Sequence, residues 1–227
     1  MNLTEKYGIT MKYDQFARNV PSNFEDPEEK VAIDQFEKYV LQLKDKSKDK
    51  FNMIELGSNY SYYSMLFKKI LGPQKTFNLL LEPYEKYMKT GKEHFEINNL
   101  EGVFLEERIY NPKLWCDIPF YCPSTSIDEL LFRYQIEELD VLHCDVDGTE
   151  SLVLDGSQKS LEEKKIDTIF VMTHPLNSQE TSLCRTGQSP TPLHVEIRDR
   201  LLAYGYNLMF DHEQCTLGWD SMVIFKR

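Results

Sequence analysis

Two acids and a glycine define the first chemistry that can be read from this chain. Glu55-Leu56-Gly57 closes an apolar run that begins at Phe51, and Glu82-Pro83 closes a second run that begins at Phe77, with Glu82 twenty-five residues beyond Gly57. A glycine just past a strand lets the backbone turn tightly and pass close to a ligand. The helix that follows such a turn offers free amide donors at the same place. An acid closing the next strand can accept hydrogen bonds from both hydroxyls of a ribose. Type and spacing together predict a nucleoside-binding βαβ unit. A dinucleotide site would want G-x-G-x-x-G so that the backbone can touch a pyrophosphate, but Asn59 and Tyr62 stand at the second and third glycine positions. This argues against a nicotinamide oxidoreductase.

A ligand with a ribose and an amino-acid tail suits one glycine flanked by Ser58, Asn59 and Ser61 better, and S-adenosylmethionine is the common example. Here the chain resembles the FkbM-type group of class I methyltransferases, whose first motif runs acid-x-Gly-Ala/Ser-Asn-x-Gly-x-x-Ser/Thr. Glu55, Gly57, Ser58, Asn59 and Ser64 match it, and the family's second glycine is Ser61. Further on, Ser126-Ile127-Asp128-Glu129-Leu130 resembles the family's Thr/Ser-Leu/Ile-Asp-Glu-Leu. The block from Val141 through Asp145-Val146-Asp147-Gly148-Thr149-Glu150 to Val153-Leu154-Asp155-Gly156 resembles its Ile-Asp-Val-Glu-Gly-x-Glu-x-x-Val-Leu-x-Gly, with Asp147 in place of the usual Glu.

The resemblance spans roughly residue 50 to the C-terminus. It implies an α/β, Rossmann-like class I methyltransferase fold, with a mostly parallel seven-stranded sheet, an antiparallel strand near the C-terminus and helices on both faces. It also implies that S-adenosyl-L-methionine is held by Glu55, Gly57, Ser58, Asn59, Tyr60, Ser61, Ser64, Glu82, Pro83 and Asp145. The activity implied is O-methylation of a hydroxyl on a small molecule or glycan. N-methylation, and a cofactor-binding module without catalysis, stand as alternatives.

Methyl transfer from a sulfonium asks mainly for positioning and for removal of a proton from the acceptor. In an open parallel sheet, ligands gather at the carboxyl ends of the strands. Asp145 and His174 are the candidate catalytic residues on that ground, and an imidazole is suited to general-base work near neutral pH. Asp145, Asp147 and Glu150 are also a candidate set for a divalent cation such as magnesium, since clustered carboxylates suit hard cations. The alternative is that Asp147 or Glu150 caps the following helix. Asp147 and Arg185 are candidate substrate contacts. Arg185 lies in the long Leu176–Pro192 segment, read either as a lid or as solvated chain. His143, inside a strand, reads as a packing residue. Tyr60, Tyr62 and Tyr63 are candidates to line the pocket, with at least one of them turned to the core.

The elements that must position these residues alternate along the chain. Strands are expected at Phe51–Leu56, Phe77–Leu81, Val103–Ile109, Val141–Asp145, Thr168–Met172, Tyr206–Asp211 and Ser221–Phe225. Helices are expected at Tyr60–Leu71, Tyr84–Asn98, Ile127–Phe132, Leu152–Leu161 and Val195–Tyr204. Alternation of this kind implies a parallel sheet covered on both faces, and the short link between the last two strands makes them antiparallel. Asp26-Pro27-Glu28-Glu29 opens an amphipathic helix that ends in the lysine-rich stretch 44–50. Residues 1–50 read as an N-terminal helical extension to a methyltransferase domain at 51–227. Dimerisation and cover over the pocket are both open to that extension.

Composition limits the remaining classes. With 41% hydrophobic residues and no apolar run long enough for a bilayer span, the 227-residue chain reads as an ordinary globular protein. Five scattered cysteines without a C-x-x-C pair fit reduced thiols, and the N-terminus has no signal-peptide pattern. Cytoplasmic localisation is expected. A net charge of −11 without a dominant basic footprint argues against nonspecific nucleic-acid binding.

Overall fold

The computed structural model describes residues 6–11, 27–109, 124–146, 148–174, 193–212 and 221–227. Its order is α1 (Pro27–Lys44), β1 (Phe51–Leu56), α2 (Tyr62–Leu71), a short 3-10 turn (Pro73–Lys75), β2 (Thr76–Leu81), α3 (Glu85–Ile97) and β3 (Val103–Leu105). Then come β4 (Arg108–Ile109), β5 (Ser124–Thr125), α4 (Ile127–Arg133), β6 (Leu139–Cys144), α5 (Glu150–Asp155) and α6 (Gln158–Glu162). The chain ends with β7 (Ile166–Thr173), α7 (Leu193–Ala203), β8 (Asn207–His212) and β9 (Ser221–Lys226).

Seven strands form one sheet in the order β3-β2-β1-β6-β7-β9-β8. The pairs from β3 to β7 are parallel, and β9 runs antiparallel to both β7 and β8. The fold expected from the alternating pattern is therefore the fold observed. Its buried strands alternate between two cores, as a period of two residues requires. Met53, Val141, Phe170 and Ile224 face the helices α1 and α2. Ile54, Leu142, Ile169 and Phe225 face α4 and α7.

On the first face, Phe36 of α1 is fully enclosed and meets the rings of Tyr63, His143 and Phe170 at 5.0, 5.8 and 5.1 Å. On the second face, Ser126 caps α4 by accepting the Glu129 N–H at 3.2 Å. Asp128 accepts the amides of Lys159 and Ser160 at 3.1 and 2.9 Å, which holds the start of α6. The Ser126–Leu130 motif thus joins two helices.

Two elements differ from their expected form. The Val103–Ile109 strand is split: Val103–Leu105 pairs with β2, whereas Arg108–Ile109 pairs in parallel with Ser124–Thr125 in a separate two-stranded sheet. The charged Glu106-Glu107 pair marks the departure, and Glu107 is held by Arg133 at 2.8 Å. The Leu152–Leu161 helix is broken at Gly156-Ser157. A Cβ on Gly156 would lie 2.9 Å from that of Ser126, so close packing against α4 requires glycine there, and Ser157 donates back to the Val153 carbonyl at 2.6 Å.

Candidate active site

The carboxyl ends of β1, β2, β6 and β7 come together at one edge of the sheet. At the end of β1, Gly57 has φ +68°, and a Cβ there would stand 1.8 Å from the Asp145 carbonyl oxygen. Positive φ and this contact both demand glycine. The loop then crosses to β2, with the Ser58 N–H donating to Leu81 O at 2.9 Å.

Asn59 and Ser61 both have positive φ, 42° and 63°. Ser61 is the N-cap of α2 in the left-handed region and makes no side-chain cap bond, and its hydroxyl finds no hydrogen-bond partner among the described residues. The backbone conformation explains the glycine of the family motif, and here a serine adopts it at a cost of about 1 kcal/mol. Gly91 of α3 makes room for that side chain, since a Cβ there would lie 2.4 Å from Ser61 Oγ.

The two acids of the βαβ unit both hold backbone amides. Glu55 is buried and accepts the Ser64 N–H in the first turn of α2 at 3.1 Å. Burial pushes its carboxyl up to about 8, against the lowering effect of the Ser64 hydrogen bonds, and the charge of Asp145 adds to the rise. Glu82 accepts the Asn59 and Tyr84 amides, each at 2.9 Å, one on each oxygen.

The half-buried Tyr60 and Pro83 flank the loop, whereas Tyr62 and Tyr63 turn into the core. Tyr63 stacks on His143 at 4.0 Å. His143 is buried on the core side of β6, and burial pushes its imidazole down to about 3.

At the ends of β6 and β7 the contacts run between side chains. The His174 ring stands between two carboxylates, with Nε2 3.2 Å from Asp145 Oδ1 and Nδ1 2.8 Å from Glu150 Oε1. Asp145 is partly exposed and Glu150 is fully buried. Glu150 Oε1 also accepts the Gly148 N–H at 3.0 Å. Asp147 and Arg185 lie outside the described residues.

The donor set tests two ligands differently. A glycine turn, a helix start beside it and an acid at the end of β2 fit a ribose-bearing ligand. For a divalent cation, no three His, Cys, Asp or Glu side chains are grouped as ligands among the described residues, and Glu150 Oε1 accepts from Gly148 and lies against His174.

Several supporting residues escaped the sequence reading. His94 Nδ1 lies 3.0 Å from the Tyr60 carbonyl, which only the Nδ1–H form can serve, as the donor. Thr173 bonds His194 Nδ1 at 2.9 Å, and His194 Nε2 reaches Asp211 at 2.8 Å, tying β7 to α7 and β8. Only Gly91 carried a signal, as an isolated glycine inside a helical pattern.

The architecture is the class I S-adenosylmethionine-dependent methyltransferase fold. The N-terminal domain of human METTL16 in complex with S-adenosylhomocysteine superposes with a TM-score of 0.57 at 14% identity, over 99% of this chain and 78% of that one. A human methyltransferase 10 domain containing protein gives 0.55 at 14%, over 99% and 91%. No curated protein sequence matches the chain.

The profile described as Methyltransferase FkbM domain matches residues 119–208. The methyltransferase FkbM from Methylobacillus flagellatus KT superposes with a TM-score of 0.54 at 14% identity, over 79% of this chain. The chain spans 44% of that structure's length. Profile and architecture together bear out the resemblance to FkbM-type methyltransferases. Among the described residues no helix is long and apolar enough to cross a membrane.

Proposed function

We propose that this chain binds S-adenosyl-L-methionine along the Gly57–Ser61 loop and Glu82, and transfers its methyl group to a hydroxyl of a small molecule or glycan. The observation that carries the reading is the contact between the two halves of the site. Gly57 of the cofactor loop abuts the Asp145 carbonyl, and the Asp145 side chain meets His174 at 3.2 Å. On this reading the proton acceptor would stand next to the place where the methyl donor would lie.

When bound, the cofactor supplies the methyl group, its sulfur leaving with the C–S electron pair as the bond to the acceptor oxygen forms. The chain's own work is to orient and deprotonate. Glu82 would hold the ribose hydroxyls, and the loop amides would face the amino-acid tail. The Asp145–His174 pair would take the acceptor's proton. No metal-dependent step is proposed, and a cytoplasmic location is part of the same proposal.

Calorimetric titration with S-adenosylhomocysteine is the first test, with binding expected in the presence of EDTA as well as magnesium. Glu82→Ala is expected to weaken that binding about 100-fold, the value of lost charge-assisted hydrogen bonds. Unchanged affinity in a folded variant would remove the ribose role. An acceptor screen reading S-adenosylhomocysteine release then separates hydroxyl from amine acceptors, and His174→Gln is expected to lower turnover about 100-fold or more without altering cofactor affinity.

A further inference from the structure

We infer that Glu150 is the positioning residue for His174, holding the ring by a hydrogen bond from Nδ1–H and so turning Nε2 towards Asp145. The inference rests on the proposed role of His174 as proton acceptor. Glu150 Oε1 accepts the Gly148 N–H at 3.0 Å, and a carboxylate oxygen has a second lone pair for another donor. The same oxygen lies 2.8 Å from His174 Nδ1, and that nitrogen must therefore donate. The hydrogen bond made by one ring nitrogen dictates the state of the other. Nε2 stands 3.2 Å from Asp145 Oδ1, where a carboxylate favours a proton between the two atoms, so the Asp145–His174 pair can hold and pass one proton.

Burial makes the arrangement rigid. Glu150 is fully enclosed, and its Oε2 has no hydrogen-bond partner among the described residues. It begins α5, so one side chain ties the loop that carries Asp145 to the end of the strand that carries His174. Thr149, at the N-cap, makes no side-chain cap bond. The reach of Glu150 back to Gly148 instead satisfies a backbone donor beside the helix start. The acid that could be read as a metal ligand or a helix cap thus closes the loop and aims the imidazole.

The test is NMR of protein labelled with 15N in its five histidines, with His174→Gln used to assign the His174 signals. The expected wild-type result is a proton on His174 Nδ1. Glu150→Gln, whose amide oxygen can still accept, is expected to keep that signature. Glu150→Ala is expected to lose it as the ring reverts to the Nε2-protonated form. Turnover on any acceptor found should follow the same order, falling about 100-fold in Glu150→Ala and several-fold at most in Glu150→Gln, with KM for the cofactor unchanged.

A wild-type His174 protonated on Nε2 alone would overturn the inference without any variant having to fold. So would an Nδ1 signature that survives in a folded Glu150→Ala. Failure of S-adenosylhomocysteine to bind the wild type would instead remove the methyltransferase reading, and the NMR result would still decide the ring orientation.

Discussion

The loop after β1 and the end of β7 use the same residue types in opposite ways. In the loop, Glu55 and Glu82 accept backbone amides from Ser64, Asn59 and Tyr84, so the acids set the path of the chain. At β7, Glu150 and Asp145 approach an imidazole, so the acids set the state of a side chain. The first arrangement builds a rigid surface against which a ligand can lie. The second builds a group that can exchange a proton. On the proposed function, recognition would rest on frozen backbone, and chemistry on one oriented ring.

The rigid half of that contrast should be the more costly to disturb. Gly57→Ala introduces a Cβ at 1.8 Å from the Asp145 carbonyl, and is expected to cost about 4 kcal/mol from strain and overpacking. Denaturant unfolding would read it, and a loss under 1 kcal/mol would show the loop to be soft.

Glu55→Gln comes next. The native carboxyl, raised to about 8 from 4.5, contributes stability that is fully present below its unfolded value and is lost as pH rises through 8. The stability of Glu55→Gln relative to wild type should therefore grow by on the order of 3 kcal/mol between pH 4.5 and 8. A flat difference across that window would mean that Glu55 is ionised while buried.

His143 gives the opposite sign. Its native imidazole is lowered to about 3 from 6.5, so its stability contribution is present above 6.5 and is lost as pH falls towards 3. His143→Phe is expected to gain about 2 kcal/mol on wild type at pH 5, read by thermal or denaturant unfolding. No gain on acidification would place this ring outside the core. The smallest effect is expected from Ser61→Gly, a stabilisation of about 1 kcal/mol from relief of the left-handed conformation, with cofactor affinity kept. Loss of affinity would show that the serine hydroxyl itself contacts ligand.

The two regions also differ in how far they could be read from residue order. Glu55, Gly57 and Glu82 belong to one βαβ unit, where strand length and turn chemistry fix their relative positions. Their places at the ends of β1 and β2 followed directly. The antiparallel end of the sheet followed from the short link between Asp211 and Ser221.

The Glu150–His174 contact spans twenty-four residues and an intervening strand pairing, and depends on which strands are neighbours. Local pattern carries no trace of it. The Thr173–His194–Asp211 chain was hidden for the same reason. Arg108–Ile109 falls within the strand expected from Val103, and its pairing with Ser124–Thr125 shows that it leaves the main sheet. The break at Gly156 likewise depends on contact with Ser126, a residue distant in the chain.

Helix α1 bears on how this protein can be handled. Phe36, Val40 and Leu43 are enclosed in the same core as the sheet, each burying side-chain area worth roughly 2 kcal/mol. A recombinant fragment trimmed to start at Phe51 would leave the rings of Tyr63 and Phe170 without this cover, and is expected to be insoluble even though it keeps all seven described strands of the main sheet.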